Sequence, residues 1–292
     1  MSFEIEPNNR FFQANRSIIE HEIKPAHTVT FVSEVDMSQI EAVRKSMGDR
    51  KPSYTAFMVK ALARALKEFP YANRRVIRRW WLPFLGPRLQ KFHHIDVAVA
   101  VERDIPGAEG VAFVDIIRKA DERPIADVQR ALKELSTCDE TNNEQWRSFS
   151  GLIRKAPSWL AALLLRLPQW SGRLWEKYRG GAALISSPAK YGVDSVLTTW
   201  SWPLGLSFGL VKERPIAVNG EVVARKTCFV TMNFDRRVMA GAQGARFFAF
   251  LIEQLRDAST TLAEPEEPGA EPVPKSEAAA IGSRPERERS VA

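Results

Sequence analysis

The sequence predicts an α/β protein, and three observations carry that expectation. Runs such as residues 28 to 35 alternate apolar and polar side chains with period two. Runs such as 54 to 69 and 243 to 255 repeat apolar residues at helical spacing. The two kinds interleave along one chain of 292 residues, long enough to bury a full core in one large or two small domains.

In order, residues 1 to 15 read as an extended arm. Residues 16 to 24 have helical spacing (Ile18, Ile19, Ile23) and stop at Pro25. The strand at 28 to 35 leads to Asp36, placed to cap a helix over 37 to 46 that Gly48 ends. Ser53 is placed to cap a longer helix over 54 to 69, which Pro70 closes. Residues 74 to 91 are basic and aromatic together. Strands are expected at 95 to 101 and 111 to 117, and Pro124 opens a helix to about 135. Residues 141 to 180 are rich in Trp and Leu with Lys and Arg between, reading as short helices broken at Pro157 and Pro168. Strands follow at 204 to 212 and 221 to 232, with Asn219-Gly220 as a hairpin signal between them. The Ala/Glu/Pro-rich stretch from 263 to 292 reads as a disordered tail.

The composition, 45% hydrophobic and 26% charged, is that of an ordinary globular domain. Cys138 and Cys228 stand far apart in no metal spacing, so neither a disulfide framework nor a metal is expected, and a reducing, cytoplasmic setting fits. The first residues lack a signal-peptide pattern, and no stretch approaches the ~20 apolar residues of a membrane span. The net charge is +7; the last thirty residues hold seven Glu against one Lys and three Arg, which leaves +10 on the remainder. A basic body suits anionic partners, among them a phosphate-bearing cofactor or an anionic membrane face; nucleic acid is not expected, since no recognition motif accompanies the charge.

The stretch Asp235-Arg236-Arg237-Val238-Met239-Ala240-Gly241-Ala242 lies between the last strand and the last long helix. It resembles the D-H-R-x-x-D-G-A signature of the dihydrolipoamide acyltransferase catalytic domain of 2-oxoacid dehydrogenase complexes, a relative of chloramphenicol acetyltransferase. Gly180-Gly181-Ala182-Ala183-Leu184-Ile185-Ser186 is similar to the family's G-G-x-F-x-I-S, and Ile95 to Val101 to its V-D-[IV]-x-V-A-V. The resemblance covers about residues 16 to 257. It implies an α/β (α+β) two-layer sandwich of the chloramphenicol acetyltransferase-like type, a mostly antiparallel mixed sheet with packed helices. The domain would span 16 to 262 with a Trp-rich insert at 141 to 180. It implies a homotrimer with sites between subunits, coenzyme A as the acyl carrier, and a catalytic module alone, without covalent lipoyl.

In the family a histidine is the general base that takes the acceptor's proton, and imidazole suits that task with an ordinary pKa of about 6.5. A serine or threonine hydroxyl donates to the oxyanion of the tetrahedral intermediate, worth about 3 to 4 kcal/mol. Ser186 stands at the hydroxyl's position, either as an oxyanion donor or as a polar strand end. Arg236 stands at the position of the histidine and Ala240 at that of the second aspartate. A guanidinium stays protonated and cannot be the base. It can hold a carboxylate, a phosphate or a thioester carbonyl, or else simply reach solvent or a neighbouring subunit's acid. Asp235 and Arg237 keep the remaining letters and read as an ion pair inside the corner. The histidines are His21, His27, His93 and His94; the last two read as a strand-end pair rather than as a replacement base. The function expected is therefore an acyltransferase-family protein that binds or uses an acyl-coenzyme A, or a non-catalytic trimeric binding or assembly protein. For the basic–aromatic segments three readings stand: an acyl-chain channel, contact with an anionic membrane face, and packing or subunit contact.

Overall fold

The computed structural model describes residues 27–77, 87–105 and 108–262, with Arg10, Phe11, Gln13, Ala14 and Glu20 before them. The expected helix at 16 to 24 and the tail at 263 to 292 lie almost wholly outside the described residues, as do 78 to 86 of the first basic–aromatic segment. Within the stretch expected as an extended arm, Arg10, Phe11, Gln13 and Ala14 are helical. Phe11 and Ala14 are buried against Phe113, Trp146 and Ile153, and that apolar contact is what orders them.

The chain runs β1 (Thr28–Asp36), α1 (Ser38–Ser46), α2 (Tyr54–Glu68), β2 (Arg74–Ile77), β3 (Arg88–Lys91), β4 (Val97–Ile105) and β5 (Ala108–Ile117). Next come α3 (Ile125–Thr137), α4 (Glu144–Lys155), α5 (Ser158–Trp170) and α6 (Gly172–Arg179). The last part holds β6 (Ala183–Ser186), β7 (Leu204–Phe208), β8 (Lys212–Val218), β9 (Glu221–Asp235), α7 (Gly241–Arg256) and α8 (Ala258–Thr261). Six strands lie in the order β1-β9-β7-β6-β4-β5, β8 adds to β9, and β2 and β3 form a separate pair. The β4/β6 and β6/β7 pairs are parallel and the other pairs antiparallel, the mixed, mostly antiparallel sheet expected.

Alternation along the central strands gives the sheet two apolar faces. Val97, Val99, Ala183, Ile185, Leu204 and Leu206 face α1, α2 and α7 in the main core, while Ala98 and Leu184 face Trp175 and Trp202 on the other side. α2 lies deepest, with ten buried residues, because its apolar side chains extend round most of its circumference; Ser53 starts it by accepting from the Ala56 N–H at 3.3 Å. Asp36 accepts from the Ser38 N–H at 2.9 Å and so serves the start of α1 from one position before the cap. No helix among the described residues is long and apolar enough to cross a membrane.

Two expectations need correction. The expected strand 204 to 212 is two strands. A Cβ on Gly209 would lie 1.8 Å from the Asp194 carbonyl oxygen, and at this close approach the chain leaves β7 and turns into β8. The Asn219-Gly220 turn, with φ of 54° and 86°, therefore joins β8 to β9 rather than β7 to β9. The insert is three helices, but Pro168 does not break α5. It sits in the last turn, where its missing N–H costs one bond, and the break comes at Ser171, whose side chain accepts from Leu174 N–H to open α6. The insert's helices cover the second face of the sheet, with Trp146 and Trp175 as its buried anchors.

Candidate functional site

β9 ends at Asp235 and α7 begins at Gly241, so the corner between them is a strand-to-helix turn presented by rigid elements. Its backbone is held from several sides. Arg74 at the start of β2 donates through Nε to the Tyr71 carbonyl at 2.6 Å and through an Nη to the Val238 carbonyl at 3.0 Å. The Tyr71 hydroxyl donates to the Gln243 carbonyl in the first turn of α7. Arg237 donates to both carboxylate oxygens of Asp235 at 2.6 to 3.1 Å, a forked pair that Asp235 strengthens by holding the guanidinium more firmly protonated than usual. Asp235 and Arg237 thus form an ion pair within the corner.

Arg236 takes no part in this network through its side chain. It is exposed, and its side chain has no partner among the described residues. Its backbone N–H donates to the His27 carbonyl at 2.8 Å, just past the last ladder pair Thr28↔Asp235, where His27 is in a 3₁₀ turn and Arg236 in the corner turn. His27, also exposed, is thus joined to Arg236 through the backbone. Sequence reasoning missed this histidine, because the only signal was an antiparallel pairing between segments some two hundred residues apart. His93 and His94 are exposed just before β4, separated from β9 by β6 and β7.

Ala240 is the N-cap of α7, with extended φ and ψ of −73° and 163°. Gln243 reaches back to accept from the Ala240 N–H at 2.9 Å, but a methyl group cannot return the bond. Ser186, at the end of β6, is half-buried, and its hydroxyl too has no partner among the described residues. It lies opposite Ser207 on β7, which lies opposite Thr231 on β9. The Ser207 hydroxyl is buried without a partner among the described residues, while Ser195 and Thr231 share a hydrogen bond of 3.2 Å. Thr231 is five residues short of Arg236, about 17 Å along a strand. One chain therefore does not bring Ser186 and the corner together.

Beside the corner lies a cavity of about 220 Å³, lined by Asp235, Arg237, Asn233, Arg75 and several tryptophans but not by Arg236 or Ser186. Arg75 is buried under Trp175, its guanidinium 4.3 Å from the ring centroid, and donates to Gln90 and to the carbonyls of Pro168 and Gln169 at the end of α5. Among the described residues no group of three or more His, Cys, Asp or Glu stands where it could hold a metal ion.

Comparison with known proteins agrees with this geometry. A profile of the 2-oxoacid dehydrogenases acyltransferase (catalytic domain) family matches residues 11–152 and 174–263. The dihydrolipoyllysine-residue succinyltransferase component of the Haemophilus influenzae 2-oxoglutarate dehydrogenase complex is 24% identical over 85% of this chain and 52% of its own length. The acetyltransferase component of the Rickettsia bellii pyruvate dehydrogenase complex is 26% identical over 85% of this chain and 51% of its own. The chain thus spans about half the length of these relatives. Among solved structures, the dihydrolipoamide acetyltransferase of Azotobacter vinelandii superposes with a TM-score of 0.63 at 20% identity, over 90% of this chain and 95% of that one. A probable dihydrolipoamide acetyltransferase from Listeria monocytogenes gives 0.63 at 17%, over 90% and 98%. The profile match covers most of the chain: the chain belongs to the family of 2-oxoacid dehydrogenase acyltransferase catalytic domains and shares the fold of the dihydrolipoamide acetyltransferases.

Proposed function

We propose that this protein transfers an acyl group from an acyl-coenzyme A, at sites completed between subunits of a homotrimer, with the proton-accepting role moved from position 236 to His27. The observation that carries the reading is the backbone hydrogen bond that joins Arg236 to His27. That bond brings the backbone of a histidine beside the position where the family resemblance expects one. There His27 would take the proton of a thiol or hydroxyl acceptor, Ser186 of a second subunit would donate to the oxyanion, and Arg236 would hold an anionic part of the ligand. Asp235 and Arg237 would keep the corner in place.

Several findings support this. Ser186 and Arg236 both lack side-chain partners among the described residues, as groups facing a ligand do. Their separation within one chain calls for a second chain to complete the site. In the Azotobacter vinelandii enzyme a serine, a histidine and an asparagine were investigated for their role in the catalytic mechanism, the last two four positions apart, which is the spacing of Arg236 and Ala240. A further match is the cubic core of a pyruvate dehydrogenase multienzyme complex. The competing reading, a binding or assembly protein without turnover, draws on the absence of both histidine and aspartate at 236 and 240.

The test is calorimetry with acetyl-coenzyme A, thiol release in parallel, and sedimentation for the assembly. Wild type is expected to bind and turn over as a trimer. His27→Gln should bind nearly as well and lose about 10²- to 10⁴-fold in turnover. Binding without turnover by wild type, with activity gained in Arg236→His/Ala240→Asp, would establish the binding-protein reading instead.

A further inference from the structure

A second cavity, of about 370 Å³, lies within the helical insert and shares no lining residue with the cavity at the corner. Its walls are apolar: Phe113 of β5, Phe149 and Leu152 of α4, Leu164 and Leu165 of α5, and Leu174 of α6. Its polar lining is gathered at one end. Gln145 of α4 donates to the Tyr178 carbonyl at 3.4 Å, Ser148 lies one helical turn further on, and Arg179 follows Tyr178. Ser148 and Tyr178 are exposed, so this polar end is the mouth. Arg179 lines the cavity as well, and its guanidinium lies 5.1 Å from the centroid of the Trp202 ring.

Close packing leaves few voids larger than a water molecule, whereas ligand pockets begin at about 300 Å³. The cavity is therefore a built space rather than a packing remainder. α5, which supplies two of its walls, falls in the stretch 153–173 between the two segments that match the family profile. The molecule complementary to such a space has an aliphatic tail and one anionic end. We propose that the insert binds a medium-length aliphatic carboxylate, the chain lying against the leucine and phenylalanine walls and the carboxylate at Arg179. The site stands apart from the corner, and its occupation does not depend on acyl transfer there.

The experiment is calorimetric titration of the whole chain with decanoate, with decanol as the uncharged equivalent and hexanoate as the short one. Decanoate is expected to bind saturably at one site, at least about tenfold tighter than either, because burial of the tail and the charge at the mouth both contribute. Leu164→Trp, which fills the cavity, should abolish binding, and Arg179→Gln should reduce decanoate to the level of decanol. Absence of saturable decanoate binding overturns the proposal, as does binding unchanged in folded Leu164→Trp. If Leu164→Trp does not fold, equal wild-type affinity for decanoate and hexanoate, or no loss in Arg179→Gln, overturns it as well. Coenzyme A binding, followed on the same variants, should not change.

Discussion

Ala240→Asp should stabilise the protein, and the corner allows the size of the effect to be worked out. α7 opens at Gly241, and residue 240 already has the extended backbone of an N-cap. Half of a reciprocal cap exists, since Gln243 accepts from the Ala240 N–H. The other half needs a side-chain oxygen at 240 to accept from an N–H of the first turn, and replacing alanine by such a residue is worth about 1 kcal/mol, within a range of roughly 0.5–2. A carboxylate adds about 0.3–1 kcal/mol from the positive end of the helix, screened by salt. Ala240 is exposed, so nothing obstructs the added atoms. The nearby Asp235 is neutralised by its forked bond to Arg237, so like-charge repulsion is small. Ala240→Ser should therefore gain about 1 kcal/mol and Ala240→Asp slightly more, seen as a Tm raised by about 2–4 °C per kcal/mol. The assay is urea and thermal unfolding followed by circular dichroism, at low and high salt. Only the difference between Asp and Ser should shrink with salt. If neither variant gains stability, the N–H groups at the start of α7 already have partners, such as groups of a neighbouring subunit, and the reasoning fails.

Other consequences are as direct. Gly209→Ala places a methyl 1.8 Å from the Asp194 oxygen and 2.3 Å from its carbonyl carbon, both backbone atoms, so a loss of about 2 kcal/mol or more is expected in urea unfolding; a change within about 0.5 kcal/mol would mean that the approach is looser in solution. Burial pushes the Cys228 thiol up to about 12, while Cys138 is only half-buried, so a disulfide-exchange reagent at mildly alkaline pH should titrate one thiol per native chain and two after denaturation. Burial raises the Glu41 carboxyl, but hydrogen bonds from Lys226 at 2.6 Å and Tyr54 at 2.7 Å, with Arg44 nearby, outweigh it and leave the group below its ordinary 4.5. A depressed folded pKa contributes stability above the unfolded value and loses it as the pH falls through the folded one. Glu41→Gln should thus be less stable at neutral pH and lose less on acidification below about 4.5; identical acid profiles for the two proteins would refute this.

What the sequence made legible was local. The cap at Ser53, the turn at Asn219-Gly220 and the period of β1 and α7 are set by neighbours along the chain, and the corner was recognisable because its letters are contiguous. Pairings between distant segments were not legible. Gly209 reads as an ordinary strand glycine until Asp194 lies against it, and Arg75 reads as a surface charge until Trp175 covers it and the end of α5 accepts its hydrogen bonds. The helical residues Arg10, Phe11, Gln13 and Ala14 span too short a stretch to announce a helix, and the order of Phe11 and Ala14 comes from Phe113 and Trp146. His27 was invisible as a neighbour of Arg236 for the same reason: β1 and β9 are joined by register, not by sequence distance.

The contacts that hold the corner explain how its chemistry can differ from the family signature while its shape does not. Arg74 holds the Val238 carbonyl, Arg237 holds Asp235, Tyr71 holds the first turn of α7, and the backbone N–H of Arg236 donates to the His27 carbonyl. None of these contacts uses the side chains at 236 or 240. A change at either position therefore leaves the scaffold standing and acts on chemistry and on one helix cap alone. From this it follows that Arg236→His/Ala240→Asp should fold with the stability gained from the cap and with the same assembly state as wild type. If that double variant unfolds or dissociates, the side chain of Arg236 carries structure as well, and the separation of scaffold from chemistry at this corner does not hold.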